Sequence, residues 1–307
     1  MSSVLIQMFL LMVFGAAWRL LRPAGLSGDQ TRLVLTTLVY YLFLPGLILK
    51  LMNRADLGME TLSISLFGVG MLGFSATLAG LYVRWRRMPA ARSGAVWLAM
   101  TFPNITFLGL PVLLEAFGDW AALMVIQLDY FASTPVVLTL GVAVARAFGN
   151  RGQAGNHFLA LLRVTPLWAA IVGVGLNLSG WSPPSWWTDF LNLLAGAVTP
   201  LMLLALGLAL DWRSLHWKSA PVVLPVVLLK LILMPAFGWW LGQMLGFSGK
   251  QLAALVLESG MPSMMFGIVL CDRFGLESRL YALLVTATTL LSMASLPLWY
   301  RLLEGAV

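Results

Sequence analysis

Charge is what this chain has least of. Of its 307 residues, 10% are Asp, Glu, Lys or Arg and 60% are hydrophobic. A soluble domain carries roughly a quarter charged residues. No soluble core accommodates so much apolar surface, whereas a bilayer does. Cysteine occurs once, at Cys271, which excludes an internal disulfide and a cysteine metal cluster. The two histidines, His157 and His216, fall in predicted loops, so no histidine zinc site or proton relay is expected within the membrane. Without a His or Cys cluster there is no constellation for an intramembrane enzyme. No basic residue precedes the first apolar segment, Val4 to Leu21, and Arg19 stands at its far end. A secretory signal has the opposite order, so this segment is expected to remain as a helix.

Apolar stretches of about 20 residues, the length of a transmembrane helix, recur throughout. Long continuous runs with little alternation favour helices over a barrel. The pattern predicts ten helices, at 4–22, 31–52, 62–85, 93–117 and 120–147, then 160–180, 188–210, 219–245, 250–274 and 277–302. The net charge of +7 resides in short loops, where it sets orientation and is no sign of nucleic-acid binding. The loops after odd-numbered helices carry 14 of the 19 Lys and Arg, the other loops carry 4, and Lys230 lies within the eighth helix. Basic residues collect on the cytoplasmic side. Both termini are therefore expected outside, in the periplasm if the membrane is a bacterial inner membrane.

A pattern occurs twice. Pro45 and Pro200 are each followed eleven residues later by an aspartate, Asp56 and Asp211. Pro103-Asn104-Ile105-Thr106 leads to Phe117-Gly118, and Met261-Pro262-Ser263-Met264 leads to Phe274-Gly275. Residues 1–148 and 160–307 are thus candidate repeats of one unit, joined by a cytoplasmic linker at 149–159 that is rich in Gly and Asn. Five helices per half is an odd number, so the second repeat runs upside down, as in secondary transporters. The expected fold is all-α and polytopic, with two inverted five-helix repeats.

Proline at mid-membrane should break the fourth and ninth helices, because it lacks a donor and clashes with the carbonyl four residues back. Each break frees N–H groups at one half-helix start, which attract anions, and carbonyls at the other end, which attract cations. Pro103, Asn104, Ile105 and Thr106, together with Gly260, Met261, Pro262 and Ser263, are the candidate anion-binding residues. Three ionisable residues fall near the midplane: Asp129, Lys230 and Glu258. A charge there costs on the order of 3 kcal/mol on insertion scales. Asp129 and Ser133 are four apart and share a helix face. With Glu258 and Thr106 they offer the oxygens that Na⁺ prefers; alternatively one carboxylate carries H⁺. The structural alternative pairs Lys230 with Asp129 or Glu258. No cofactor and no metal beyond Na⁺ are expected.

The run Pro103 to Pro111 (Pro-Asn-Ile-Thr-Phe-Leu-Gly-Leu-Pro) resembles the fourth-helix signature of the auxin efflux carrier family, which includes PIN-type carriers and bacterial carriers of malate, malonate and related carboxylates. The ten-helix layout and the Met261-Pro262 break are similar as well, so the resemblance spans the chain. It implies crossed broken helices, a scaffold half and a transport half that move as an elevator, a homodimer, and a substrate carboxylate facing the asparagine after the first proline, here Asn104. The architecture is shared with bile-acid sodium symporters, whose ninth helix carries a sodium-site sequence similar to Glu258-Ser259-Gly260-Met261. Many PIN-type carriers lack a carboxylate there. The chain also lacks the long cytoplasmic loop of the plant carriers. The expected activity is secondary transport of a small organic anion across the lipid bilayer, coupled to Na⁺ or H⁺. An uncoupled uniporter and a ligand-binding membrane sensor are the other readings.

Overall fold

A computed structural model describes residues 2–53, 58–149, 165–210 and 220–304. Asp56, Asp211, His157, His216 and the linker beyond Gly149 lie outside the described residues. Every regular element among the described residues is helical. The helices are α1 (Ser2–Leu21), α2 (Gly28–Met52), α3 (Met59–Arg86), α4 (Ala90–Thr101), α5 (Ile105–Phe117), α6 (Asp119–Phe148), α7 (Thr165–Leu178), α8 (Ser185–Ala209), α9 (Ala220–Met244), α10 (Gly249–Ser259), α11 (Gly267–Phe274) and α12 (Ser278–Glu304). Six of them, α2, α3, α6, α8, α9 and α12, are long and apolar enough to cross a bilayer. The protein is a multi-pass membrane protein. The predicted segments 93–117 and 250–274 each arrive as two helices, interrupted at Phe102–Asn104 and at Gly260–Phe266. Trp186 and Trp187, expected in a loop, lie in the first turn of α8.

The chain forms two compact units. Unit 1 comprises Met1–Leu62, Thr106–Tyr130 and Asn156–Ala209; unit 2 comprises Ser63–Ile105, Phe131–Gly155 and Leu210–Val307. The chain therefore changes unit between Ile105 and Thr106, and again inside α6.

In unit 1, α1 packs on α8 at backbone contact. A Cβ on Gly15 would collide with the Leu204 carbonyl, and one on Gly207 with the Met12 carbonyl. Small residues permit such close approach where no hydrophobic force between helices is available. Arg19 Nη1 donates to the Leu208 carbonyl at 2.6 Å, near the end of α8, and Asn177 Nδ2 donates to Met52 O and Asn53 O at 3.2 and 3.0 Å. Both side chains supply donors that helix C-termini lack. Lys50 and Asp119 form an ion pair at 2.9 Å.

In unit 2, α3 packs on α9 through the stacked rings of Phe74 and Phe237, 3.8 Å apart. Contacts of α9 with α10 run antiparallel: Gly242 faces Leu252 and Gly238 faces Ser259.

Five stretches take one residue more per turn than an α-helix: Val39–Phe43, Ile105–Gly109, Asp129–Ser133, Val137–Gly141 and Leu229–Leu233. In four of these five a proline stands two residues past the end, at Pro45, Pro111, Pro135 and Pro235. The carbonyl four residues before each proline lies inside the wide turn. Widening moves that carbonyl off the proline ring and relieves the clash. Thr106, Asp129, Ser133 and Lys230 all sit in these turns.

Candidate functional site

The crossing of the two broken segments lies wholly within unit 2. A residue before proline is driven to extended backbone, and Phe102 has φ −95° and ψ 121°. α4 stops there. On the other segment, the Gly260 N–H bonds to Leu257 O at 3.1 Å and the Met261 N–H to Glu258 O at 3.1 Å, tightening the last turn of α10 before Pro262. The two extended stretches then pair antiparallel, with Pro103 opposite Ser263. The Asn104 N–H donates to Pro262 O at 2.7 Å and the Met264 N–H to Phe102 O at 3.0 Å. A scrap of β-ladder thus joins two helix breaks, so each break supplies partners for the other's backbone.

The remaining backbone acceptors are accounted for by side chains from neighbouring helices, as buried backbone requires. Pro103 leaves Ala99 O without its helical donor, and Ser263 Oγ donates to it at 2.7 Å. Asn104 N has turned away from Met100 O, and Ser75 Oγ of α3 donates there at 2.7 Å. Thr288 Oγ1 of α12 accepts from the Ser263 N–H at 3.2 Å, and Tyr281 OH donates to Met264 O at 2.8 Å. Gly267 leaves room for that phenol, since a Cβ there would run into it. The same substitution recurs in α9. Pro225 frees Pro221 O, which accepts from Tyr82 OH at 3.3 Å, and Pro235 frees Leu231 O, which accepts from Trp299 Nε1 at 2.8 Å.

Against this accounting, the side chains that remain without a partner stand out. Asn104 is 2% exposed, and its Nδ2 has no hydrogen-bond partner among the described residues. The hydroxyls of Thr101 and Thr289, both fully buried, are in the same condition. Asn104 immediately precedes α5, whose first N–H groups have no acceptor within the helix. Glu258, 2% exposed, sits one residue from the end of α10, where the helix presents carbonyls. Carbonyls and carboxylate together make that end electronegative.

Of the eight residues expected to bind the anion, four meet directly: Pro103, Asn104, Pro262 and Ser263. Ser263 takes a different part from the one expected. Its hydroxyl and its amide are both engaged within the crossing, so it holds the backbone together. Gly260 closes α10, while Met261 and Ile105 are buried beside the breaks. Thr106 belongs to unit 1, where its hydroxyl donates to the Asp129 carboxylate. Asp129 is buried in the wide turn after α6 enters unit 1. Ser133 and Glu258 belong to unit 2. No ion pair joins Lys230 to a carboxylate among the described residues, and its Nζ has no hydrogen-bond partner there. Sequence reasoning missed Ser75, Tyr281, Thr288 and Trp299. The one available signal was the run Thr286, Thr288, Thr289 and Ser292, a buried polar face in an otherwise apolar helix.

A family profile described as membrane transport protein matches residues 1–149 and 154–300. A protein of Methanothermobacter thermautotrophicus, named an uncharacterized transporter, is 31% identical over 91% of this chain and 92% of its own length. The uncharacterized transporter YfdV of Escherichia coli K12 is 26% identical over 91% and 90%. A putative malonate transporter of Rhizobium meliloti is 26% identical over 89% and 88%.

Proposed function

We propose, from the premise that this chain belongs to the membrane transport protein family, the family of the auxin efflux carriers, that it carries small organic anions as a secondary active transporter. The substrate's carboxylate accepts hydrogen bonds from Asn104 Nδ2 and from the free N–H groups at the start of α5. One observation carries this reading: Asn104 offers a buried donor without a partner at a crossing where neighbouring side chains cover the freed backbone acceptors. A fold that satisfies its own carbonyls so thoroughly, yet leaves this amide open, is built for an acceptor that comes and goes. The name of the Rhizobium relative makes malonate the first substrate to try.

Glu258 is the candidate for the coupling ion. A carboxylate beside helix-end carbonyls attracts Na⁺ and equally holds H⁺. Asp129, with Thr106 bonded to it and with Ser133 four residues on, is the second candidate. The wider frame is that of the resemblance: ten helices as two inverted repeats, both termini outside in a bacterial inner membrane, a homodimer, and elevator-type alternating access.

The test is uptake into proteoliposomes of labelled malonate, malate, pyruvate and indole-3-acetate, in sodium and in choline buffer. One acid should accumulate, and Asn104→Ala should lower its uptake at least tenfold, roughly the loss of a hydrogen bond to a charged group. Undiminished uptake by Asn104→Ala sinks the assignment. Sodium stimulation that disappears in Glu258→Gln supports a sodium site at Glu258; stimulation that survives assigns the ion elsewhere.

A further inference from the structure

Neither the helix packing nor the crossing accounts for Lys230. It lies midway along α9, in the wide turn Leu229–Leu233, and is 1% exposed. Its Nζ has no hydrogen-bond partner among the described residues. The carbonyl freed nearby by Pro235, that of Leu231, is already taken by Trp299. An ionisable group without a partner inside a protein is costly. Within a membrane helix it marks a binding or conduction path by default.

Its position follows from the packing of α9 on α10. Val226, Lys230, Met234 and Gly238 are all buried and recur every four residues, so they form one stripe. The stripe runs antiparallel to α10. Gly242 meets Leu252 and Gly238 meets Ser259, while Pro235 lies 3.6 Å from where a Cβ on Gly260 would stand. α10 ends at Ser259. Continuing from Pro235 toward Lys230, about 7.5 Å of helix rise, the stripe passes the end of α10 and reaches the level of the broken stretch 260–266. Lys230 thus stands in the same unit and beside the same break as the crossing.

We propose that Lys230 receives a second acidic group of the substrate, so that the anion carried is a dicarboxylate and not a monocarboxylate. This rests on the reading of Asn104 as the seat of the first carboxylate. Two buried nitrogen donors, Asn104 Nδ2 and Lys230 Nζ, are open in unit 2, and a molecule with two carboxylates satisfies both. A monocarboxylate leaves the ammonium uncompensated.

Matched acids test it: malonate against propionate, and succinate against butyrate, titrated calorimetrically into the purified full-length protein. The wild type should bind each diacid more tightly than its partner. Lys230→Met should weaken diacid binding by roughly thirtyfold or more, the effect of removing one partner of a buried charge pair, with monoacid binding unchanged. Lys230→Arg should keep part of the preference. Equal loss for both classes, or no loss, overturns the role of Lys230 and leaves Asn104 standing. Diacids bound no tighter than monoacids by the wild type overturn it too, even if Lys230→Met fails to fold. If Asn104→Ala binds every acid as the wild type does, the reading of the crossing falls and this proposal falls with it.

Discussion

Asn104 and Ser263 occupy one crossing and hold opposite kinds of hydrogen bond. Ser263 Oγ fills the acceptor that Pro103 exposes, so Ser263→Ala leaves a buried carbonyl unsatisfied at a cost of about 1–3 kcal/mol. The expected result is a lower melting temperature in detergent, with residual substrate affinity close to wild type in the fraction that folds. Asn104→Ala removes a donor that has no partner, so its melting temperature should match the wild type or exceed it while binding is lost. A drop in melting temperature for Asn104→Ala as large as that for Ser263→Ala would contradict the distinction. This division of roles was not legible in the sequence. Asn104 and Ser263 each follow a proline in a broken helix, and nothing local says which of the two side chains bonds inward. Only the pairing of the two stretches, through Asn104 N–H and Pro262 O, decides it.

At the scale of the element, prolines had announced the breaks at Pro103 and Pro262, and the broken helices lie where they were expected. The wide turns had not been foreseen, because a proline alone does not say whether a helix will stop or widen. What decides is the supply of replacement donors. In α9 the freed carbonyls of Pro221 and Leu231 find Tyr82 and Trp299, so the helix continues past Pro225 and Pro235. A double-mutant cycle measures this. Trp299→Phe should cost about 1–2 kcal/mol in the wild type and much less in a Pro235→Ala background, where the restored N–H satisfies Leu231 O. Additive costs would show that Trp299 acts by packing alone. α1 and α8 pose the complementary case. Their backbones touch at Gly15 and Gly207, so Gly15→Val must force the helices apart and should destabilise the protein by a few kcal/mol. Thermal melts against an exposed-face control such as Phe14→Val check it.

For the molecule as a whole, composition declared the membrane class and basic loops declared the orientation. The division into units escaped notice. Sequence segments 93–117 and 120–147 read as continuous spans, yet the chain changes unit within each, because contacts across helices and not chain continuity define a compact body. Orientation is open to direct test. Cys271 is fully buried, so a Cys271→Ala background carries no reactive thiol. In it, Ser179→Cys in the exposed turn after α7 should react with an impermeant maleimide on intact cells. Arg87→Cys, in the exposed turn after α3, should react only once the membrane is opened. The reverse pattern would invert the assignment of the termini.

The wide turns also carry a history. A turn that holds one residue too many is what a single-codon insertion leaves when the helix absorbs it. Such an insertion swings everything beyond it by about 100° around the helix axis. Lys230, Asp129 and Thr106 sit in the turns themselves, where that swing is taken up. Deleting one residue from Leu229–Leu233 would therefore return α9 to regular winding and turn Lys230 off the buried stripe on which Gly238 rests. The inward placement of the polar groups is thus bought by length added to the chain, and one deletion would reverse it.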